Sequence, residues 1–173
     1  FIFYVNWTIH DVKLQIWKGI IYIYYMAVIR TAQKQDFKFL SKIFSLNVPK
    51  YFDKKELDDF KKYFNSKNLE SYFIIESQGK EVGGGGYAYE NIKTARICWL
   101  FIDPNYHGLG FGKKLVNYCI KILKNDRKLS VIEVETSNLT YKFYEKLNFK
   151  IEYIKKDYWP NNDDLYFMKI DLI

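Results

Sequence analysis

Phe101-Ile102-Asp103-Pro104-Asn105-Tyr106-His107-Gly108-Leu109-Gly110-Phe111-Gly112-Lys113-Lys114 carries an apolar strand through a glycine-rich turn directly into a helix. At such a junction the first N–H groups of the helix and the positive end of its macrodipole face outward together, so main chain alone can hold an anion. Gly108, Gly110 and Gly112 remove the Cβ atoms that would keep a diphosphate away and permit dihedrals closed to other residues. Spacing excludes the two commoner glycine loops. A Walker A loop needs Gly where His107 stands and Ser or Thr where Lys114 stands, and a dinucleotide G-x-G-x-x-G begun at Gly108 needs Gly where Lys113 stands. Gly83, Gly85 and Ala88 spell a relaxed dinucleotide pattern, but they lie within Glu81–Tyr89, which reads as a strand and opens no helix.

His107-Gly108-Leu109-Gly110-Phe111-Gly112 resembles the acyl-coenzyme A loop of the GNAT N-acetyltransferase superfamily, in which Gln or Arg stands where this chain has His107. A second block strengthens the resemblance: Val134-Glu135-Thr136-Ser137-Asn138 leads into Leu139–Phe149, retaining Asn138, Tyr144, Glu145, Lys146, Leu147 and Phe149 of the family pattern. It departs at Tyr141, where a small residue is usual, and at Asn148, where Gly is usual. Asn enters the left-handed conformation more readily than other non-glycine residues, so the helix stop is expected to survive. The Tyr141 ring is expected to crowd the pantetheine arm or to alter which acyl group fits.

The resemblance implies an α/β (α+β) fold: a mixed, mostly antiparallel twisted sheet with two splayed central parallel strands, at 94–102 and 130–136, and about four helices. It also implies acetyl-CoA as co-substrate, with Leu100, Phe101 and Ile102 on the strand beside the pantetheine, and the backbone of Leu100 and Ile102 pairing with it as an added strand would. His107, Gly108, Leu109, Gly110, Phe111, Gly112, Lys113 and Lys114 form the diphosphate loop, and Lys146 is a further phosphate candidate. Asn138 is assigned to the pantetheine amides or an ordered water, with a plain helix cap as the simpler alternative. Tyr144 matches the family's general acid, with an aromatic core residue as its alternative reading. For the base, Arg96 stands where many relatives carry an acid. Of Glu90, Glu133 and Glu135, Glu133 is the candidate, beside bulk-connected water. The implied reaction is direct transfer of acetyl to a primary amine in a ternary complex. The competing reading is a non-catalytic acyl-CoA sensor, suggested by His107, Tyr141 and the missing acid.

The remaining sequence fits one enzyme domain. At 173 residues, 49% hydrophobic and 27% charged, the chain has length and apolar content for a proper core. Its net charge of +7 steers a polyanion, yet of 27 basic residues only Arg30, Arg96 and Arg127 are Arg and no basic stripe stands out, which argues against nucleic acid as partner. Cys98 and Cys119 read as buried small hydrophobes without metal-ligand spacing, so no metal is expected. Asp11, Lys13 and Lys18 interrupt the apolar N-terminal stretch, which is too short for the roughly 20 residues of a membrane span. No membrane partner is expected, a cytoplasmic location is, and the protein is read as a monomer or homodimer. Residues 1–25 are read as an upstream translation or an extension ahead of a native start at Met26, and 26–173 as the GNAT domain, with Met26–Arg30 opening its first strand.

Period and punctuation place a strand at 27–31, an amphipathic helix after it, a second helix near 54–66, a hairpin over 71–90, a helix over 110–125, a strand at 130–136, a helix at 139–147, and strands at 149–157 and 165–172. Phe37, Leu40, Ile43, Phe44 and Leu46 are expected on one buried face. Asp53 with Glu56 is expected to start the second helix as a capping box.

Overall fold

The computed structural model describes residues 6–9, 12–17, 20–25 and 27–172, which form two separate sheets. The first is an antiparallel meander of β1 (Asn6–Ile9), β2 (Val12–Trp17) and β3 (Ile20–Tyr25), with Leu14 opposite both Trp7 and Ile23. The β-branched and aromatic content of this stretch favours strands. Met26, expected to open the first strand of the main domain, lies outside the described residues.

The second sheet has seven strands: β4 (Ala27–Thr31), β5 (Tyr72–Ser77), β6 (Lys80–Asn91), β7 (Thr94–Ile102), β8 (Val131–Ser137), β9 (Lys150–Trp159) and β10 (Asp163–Asp171). Their spatial order is β4-β5-β6-β7-β8-β10-β9, and β7–β8 is its parallel pair. Helices α1 (Phe37–Leu46) and α2 (Glu56–Asn65) cover one face, α3 (Phe111–Leu123) covers the other, and α4 (Tyr141–Glu145) follows β8.

β5 is buried on both sides. Its alternate residues Tyr72 and Ile74 join Leu40, Phe44, Phe60 and Phe64 under α1 and α2, while Phe73 and Ile75 join Leu115, Cys119 and Leu123 of α3. An unbroken apolar run is what such a strand requires. Gln78 and Gly79, at φ 53° and 68°, make the two-residue turn that leads β5 into β6 with the hand matching strand twist.

The expected elements are present with shifted ends. Leu46 is 50% exposed instead of buried, and the polar Asn47 takes the inner position. The second helix begins at Glu56 with Lys55 as its N-cap, so the expected box is only half made: Glu56 Oε2 accepts from the Asp53 N–H, but Asp53 Oδ1 accepts from the Lys55 N–H instead of that of Glu56. The helix expected over 139–147 is short, and ends where Asn148 turns left-handed at φ 69° and the Phe149 N–H reaches back to the Tyr144 carbonyl.

Candidate active site

β7 and β8 pair only through Thr94–Val131, Ala95–Ile132 and Arg96–Glu133. Beyond these three positions the strands part, and a cleft of about 960 Å³ lies between Ile97–Ile102 and Val134–Ser137. A bulge in β7 marks the parting: Gly86 opposes Cys98 and Gly84 opposes Phe101, so Trp99 and Leu100 together face Gly85. Trp99 is left-handed at φ 50°, and its carbonyl accepts from the Tyr72 hydroxyl at 2.9 Å. The Asp103 N–H pairs with Val82 of β6. Alternation then turns the polar groups of Ile102 away from β6. Its carbonyl accepts from Asn47 Nδ2 at 3.0 Å and lies 2.8 Å from His107 Nε2. Ile102, expected to pair with pantetheine, therefore has its carbonyl engaged within the protein.

At one end of the cleft is the glycine loop. Gly108 and Gly110 have φ of 77° and 85°, and a Cβ built on either meets nothing within 4 Å, so the loop is open to an occupant. Gly110 is the N-cap of α3 and supplies no side chain to its first turn. The helix's first main-chain bond runs from the Lys114 N–H to the Gly110 carbonyl, so the amides of Gly112 and Lys113 precede it. These residues suit the diphosphate of coenzyme A. His107 is a strap, its ring tied to the end of β7 and set edge-on to Tyr51. Lys113 lines the cleft. Leu109, Lys114 and Lys146 lie off its wall, with Lys114 Nζ 5.7 Å from the Phe111 ring.

Tyr144 reaches the cleft from α4. It is only 6% exposed and packs edge-on against Phe143 and Phe149. Desolvation, helped by the nearby thiols of Cys98 and Cys119, pushes its hydroxyl above the ordinary tyrosine range. It is therefore a protonated donor at neutral pH. Burial likewise pushes the Cys98 thiol, which lines the cleft, up to about 12. Such a thiol is a poor nucleophile.

Two expectations and one alternative reading are corrected in position. Tyr141 does not enter the cleft; its ring stacks on Tyr166 at 4.3 Å with planes 10° apart. Asn138 caps no helix, since Thr140 is the N-cap of α4, and its N–H donates to Asp163 while the residue lines the cleft. Glu133, expected to take the amine proton, is buried at the closed end of the strand pair, where Arg96 Nε donates to it at 2.8 Å, and it does not line the cleft. Glu135, two residues along β8 and so on the same face, does, and lies 3.4 Å from Arg96. Glu90, at 3.6 Å, completes a group of three carboxylates around one guanidinium.

The opposite wall holds residues without a sequence signal. Tyr51 and Glu56 line it, and burial raises the Glu56 carboxyl, opposed by its bond from the Asp53 N–H. Asn47 also lines it, clasping Ile43 and Ile102 from a position where hydropathy marks a surface turn. Among the described residues no group of three or more His, Cys, Asp or Glu is arranged to hold a metal ion, and no helix is long and apolar enough to cross a membrane.

A chain with this split pair and glycine loop has recognisable relatives. It is 31% identical over 114 residues to the ribosomal protein bS18-alanine N-acetyltransferase of Haemophilus influenzae, covering 65% of this chain and 73% of that one. It is 26% identical over 158 residues to the N-alpha-acetyltransferase of Saccharolobus solfataricus, covering 81% and 90%. The yncA protein of Salmonella typhimurium, solved with its cofactor acetyl-CoA, superposes with a TM-score of 0.70 at 16% identity, over 85% of this chain and 94% of that one. The acetyltransferase (GNAT) family model matches residues 37–149, which hold both the loop and Tyr144, and this chain belongs to that family of acetyl-CoA-dependent N-acetyltransferases.

Proposed function

We propose that this enzyme transfers acetyl from acetyl-CoA to the amino terminus of a polypeptide, by direct attack in a ternary complex. The observation that carries this reading is the early end of β7–β8 pairing, which joins the glycine loop, the Leu100 main chain, Tyr144 and Glu135 in one cleft. The amides of Gly112 and Lys113 bind diphosphate, and the main chain of Leu100 with the N–H of Ile102 holds the pantetheine arm. The Leu100 N–H steadies the oxyanion as the amine attacks the thioester carbonyl; one positioned donor of this kind contributes about 3 kcal/mol. Tyr144 gives its proton to the departing thiolate. An amine needs to shed a proton before it attacks, and Glu135 on the cleft wall, with water, takes it in place of Glu133. Cys98, held as a thiol, forms no acyl intermediate.

The choice of an α-amine rests on the two relatives named for it. The carboxylates around Arg96 favour an incoming ammonium near the cleft. The test follows free thiol with acetyl-CoA and matched peptides, one with a free amino terminus and one blocked there but bearing lysine. Release with the free terminus alone is expected. Release with lysine or small polyamines alone overturns the acceptor assignment, and a wild-type protein that acetyl-CoA fails to stabilise thermally overturns the whole reading; at a hundred times its Kd, stabilisation of about 2.7 kcal/mol is expected.

A further inference from the structure

Gly83-Gly84-Gly85-Gly86 in the middle of β6 opens no helix and does not line the cleft, and four glycines are a poor choice for a central strand. Their surroundings give the reason. Tyr72 on β5 stands directly opposite Gly86, and its ring crosses the strand diagonally over Gly84. A Cβ on Gly84 would fall 2.8 Å from the Tyr72 hydroxyl oxygen, and one on Gly86 would fall 2.9 Å from Tyr72 Cα and Cδ2. Side chains at either position would close the path. With the path open, Tyr72 spans β6 and donates to the carbonyl of Trp99 on β7, itself wholly buried.

That carbonyl belongs to the peptide plane at the bulge. In a trans peptide the C=O of Trp99 and the N–H of Leu100 point in opposite directions. The Tyr72 hydroxyl, lying over Gly84 of β6, holds the carbonyl toward that side, so the Leu100 N–H points away from it, and Leu100 lines the cleft that opens where β7 and β8 part. A hydrogen bond to the carbonyl also polarises the amide and strengthens its N–H as a donor. Packing alone does not call for this hydroxyl, since phenylalanine would fill the same space among Phe60, Phe64 and Trp99.

We propose that Tyr72 is a positioning residue for acetyl transfer: reaching through the glycine strand, it fixes the Trp99–Leu100 peptide so that the Leu100 N–H meets the thioester oxygen. The inference rests on the acetyl-CoA reading above and adds a residue that touches no substrate.

The experiment uses acetyl-CoA labelled with ¹³C at the thioester carbonyl, bound to the full chain, with the carbonyl stretch read by difference infrared spectroscopy and kcat measured on the same preparations. In the wild type the stretch is expected below its solution value. Tyr72→Phe is expected to return it toward solution and to lower kcat on the order of tenfold, less than the 10²–10³ of a deleted donor, with the acetyl-CoA Kd within about twofold. An unmoved stretch with unchanged kcat in Tyr72→Phe overturns the inference and leaves the enzyme assignment standing. Wild type that does not bind the labelled acetyl-CoA overturns both. Should Tyr72→Phe fail to fold, 3-fluorotyrosine placed at position 72 alone supplies a more acidic donor; a further downward move supports the coupling, and an unmoved stretch defeats it.

Discussion

The first three pairs of β7 and β8 and the residues beyond them belong to the same two strands and do opposite things. From Thr94 to Arg96 the strands are bonded, and Arg96 and Glu133 close the pair with a partly buried ionic contact. From Ile97 onward they are held apart, with a left-handed Trp99 on one side and the Phe143–Tyr144 wedge of α4 on the other. Side-chain charges are paired where the backbone is satisfied, and backbone is left available where the side chains are aromatic. A thioester carrier that binds through main chain needs the second arrangement; the fold needs the first to limit how far the split runs.

The open half breaks most sharply at Tyr144. Tyr144→Phe keeps the ring and its contacts with Phe143 and Phe149, but removes the proton that the proposed role passes to the thiolate. We expect kcat to fall about 10²-fold or more, with acetyl-CoA affinity within about twofold, in steady-state and binding assays. The pH profile adds a sign. As the proposed acid Tyr144 acts in its protonated form, and burial raises its pKa, so an alkaline limb from this group belongs above the ordinary tyrosine value of about 10. A limb below that value which vanishes in Tyr144→Phe would contradict the assignment.

The closed half breaks at Arg96. Arg96→Met leaves Glu133, whose side chain is 11% exposed, without its main partner. Stability is expected to drop by about 2 kcal/mol, below the full cost of orphaning a buried charge because Arg96 is itself partly wet, which is roughly 4–8 °C in Tm. Adding Glu133→Gln to that variant should restore part of the loss. Glu133→Gln alone is expected to keep kcat within about threefold; a hundredfold loss would return to Glu133 the base role that its position argues against.

A second arginine closes the other end of the sheet. Arg30 on β4 donates to Asp36 and Glu76, and Asp36 also accepts from the Gln33 N–H. Desolvation works to raise the Asp36 carboxyl, but these bonds outweigh it and the net direction is down. A depressed folded value means that the contribution is complete above the unfolded value of about 3.9 and is lost as pH falls through the folded one. Asp36→Asn should cost about 1 kcal/mol at pH 7 and progressively less below pH 4, by chemical denaturation. A constant difference across that range would show that the pair's charge contributes nothing.

The two halves were not equally legible. The glycine loop, the strand ends at Thr94 and Ile102 and the left-handed Asn148 follow from local rules, because helix starts, strand periods and αL stops are written within a few residues. What could not be read depended on partners far along the chain. Tyr72 and Trp99 are 27 residues apart, and Asn47 meets Ile102 across 55. Glu133 and Glu135 share a face and a spacing rule. Only the point at which pairing stops separates the ion pair from the cleft wall.

Tyr141 sharpens the comparison with the smallest effect. Its sequence position suggested a ring against the pantetheine arm, but the ring lies flat on Tyr166 outside the cleft. Tyr141→Ala removes that stack, at a cost of about 0.5–1.5 kcal/mol beyond lost burial, and touches neither the loop nor the thioester position. The ratio of kcat/KM for acetyl-CoA over propionyl-CoA should therefore stay within about twofold of wild type while Tm falls by a few degrees. A changed ratio at unchanged Tm would mean that the ring turns inward when the cleft is filled, and that acyl choice is made at α4 after all.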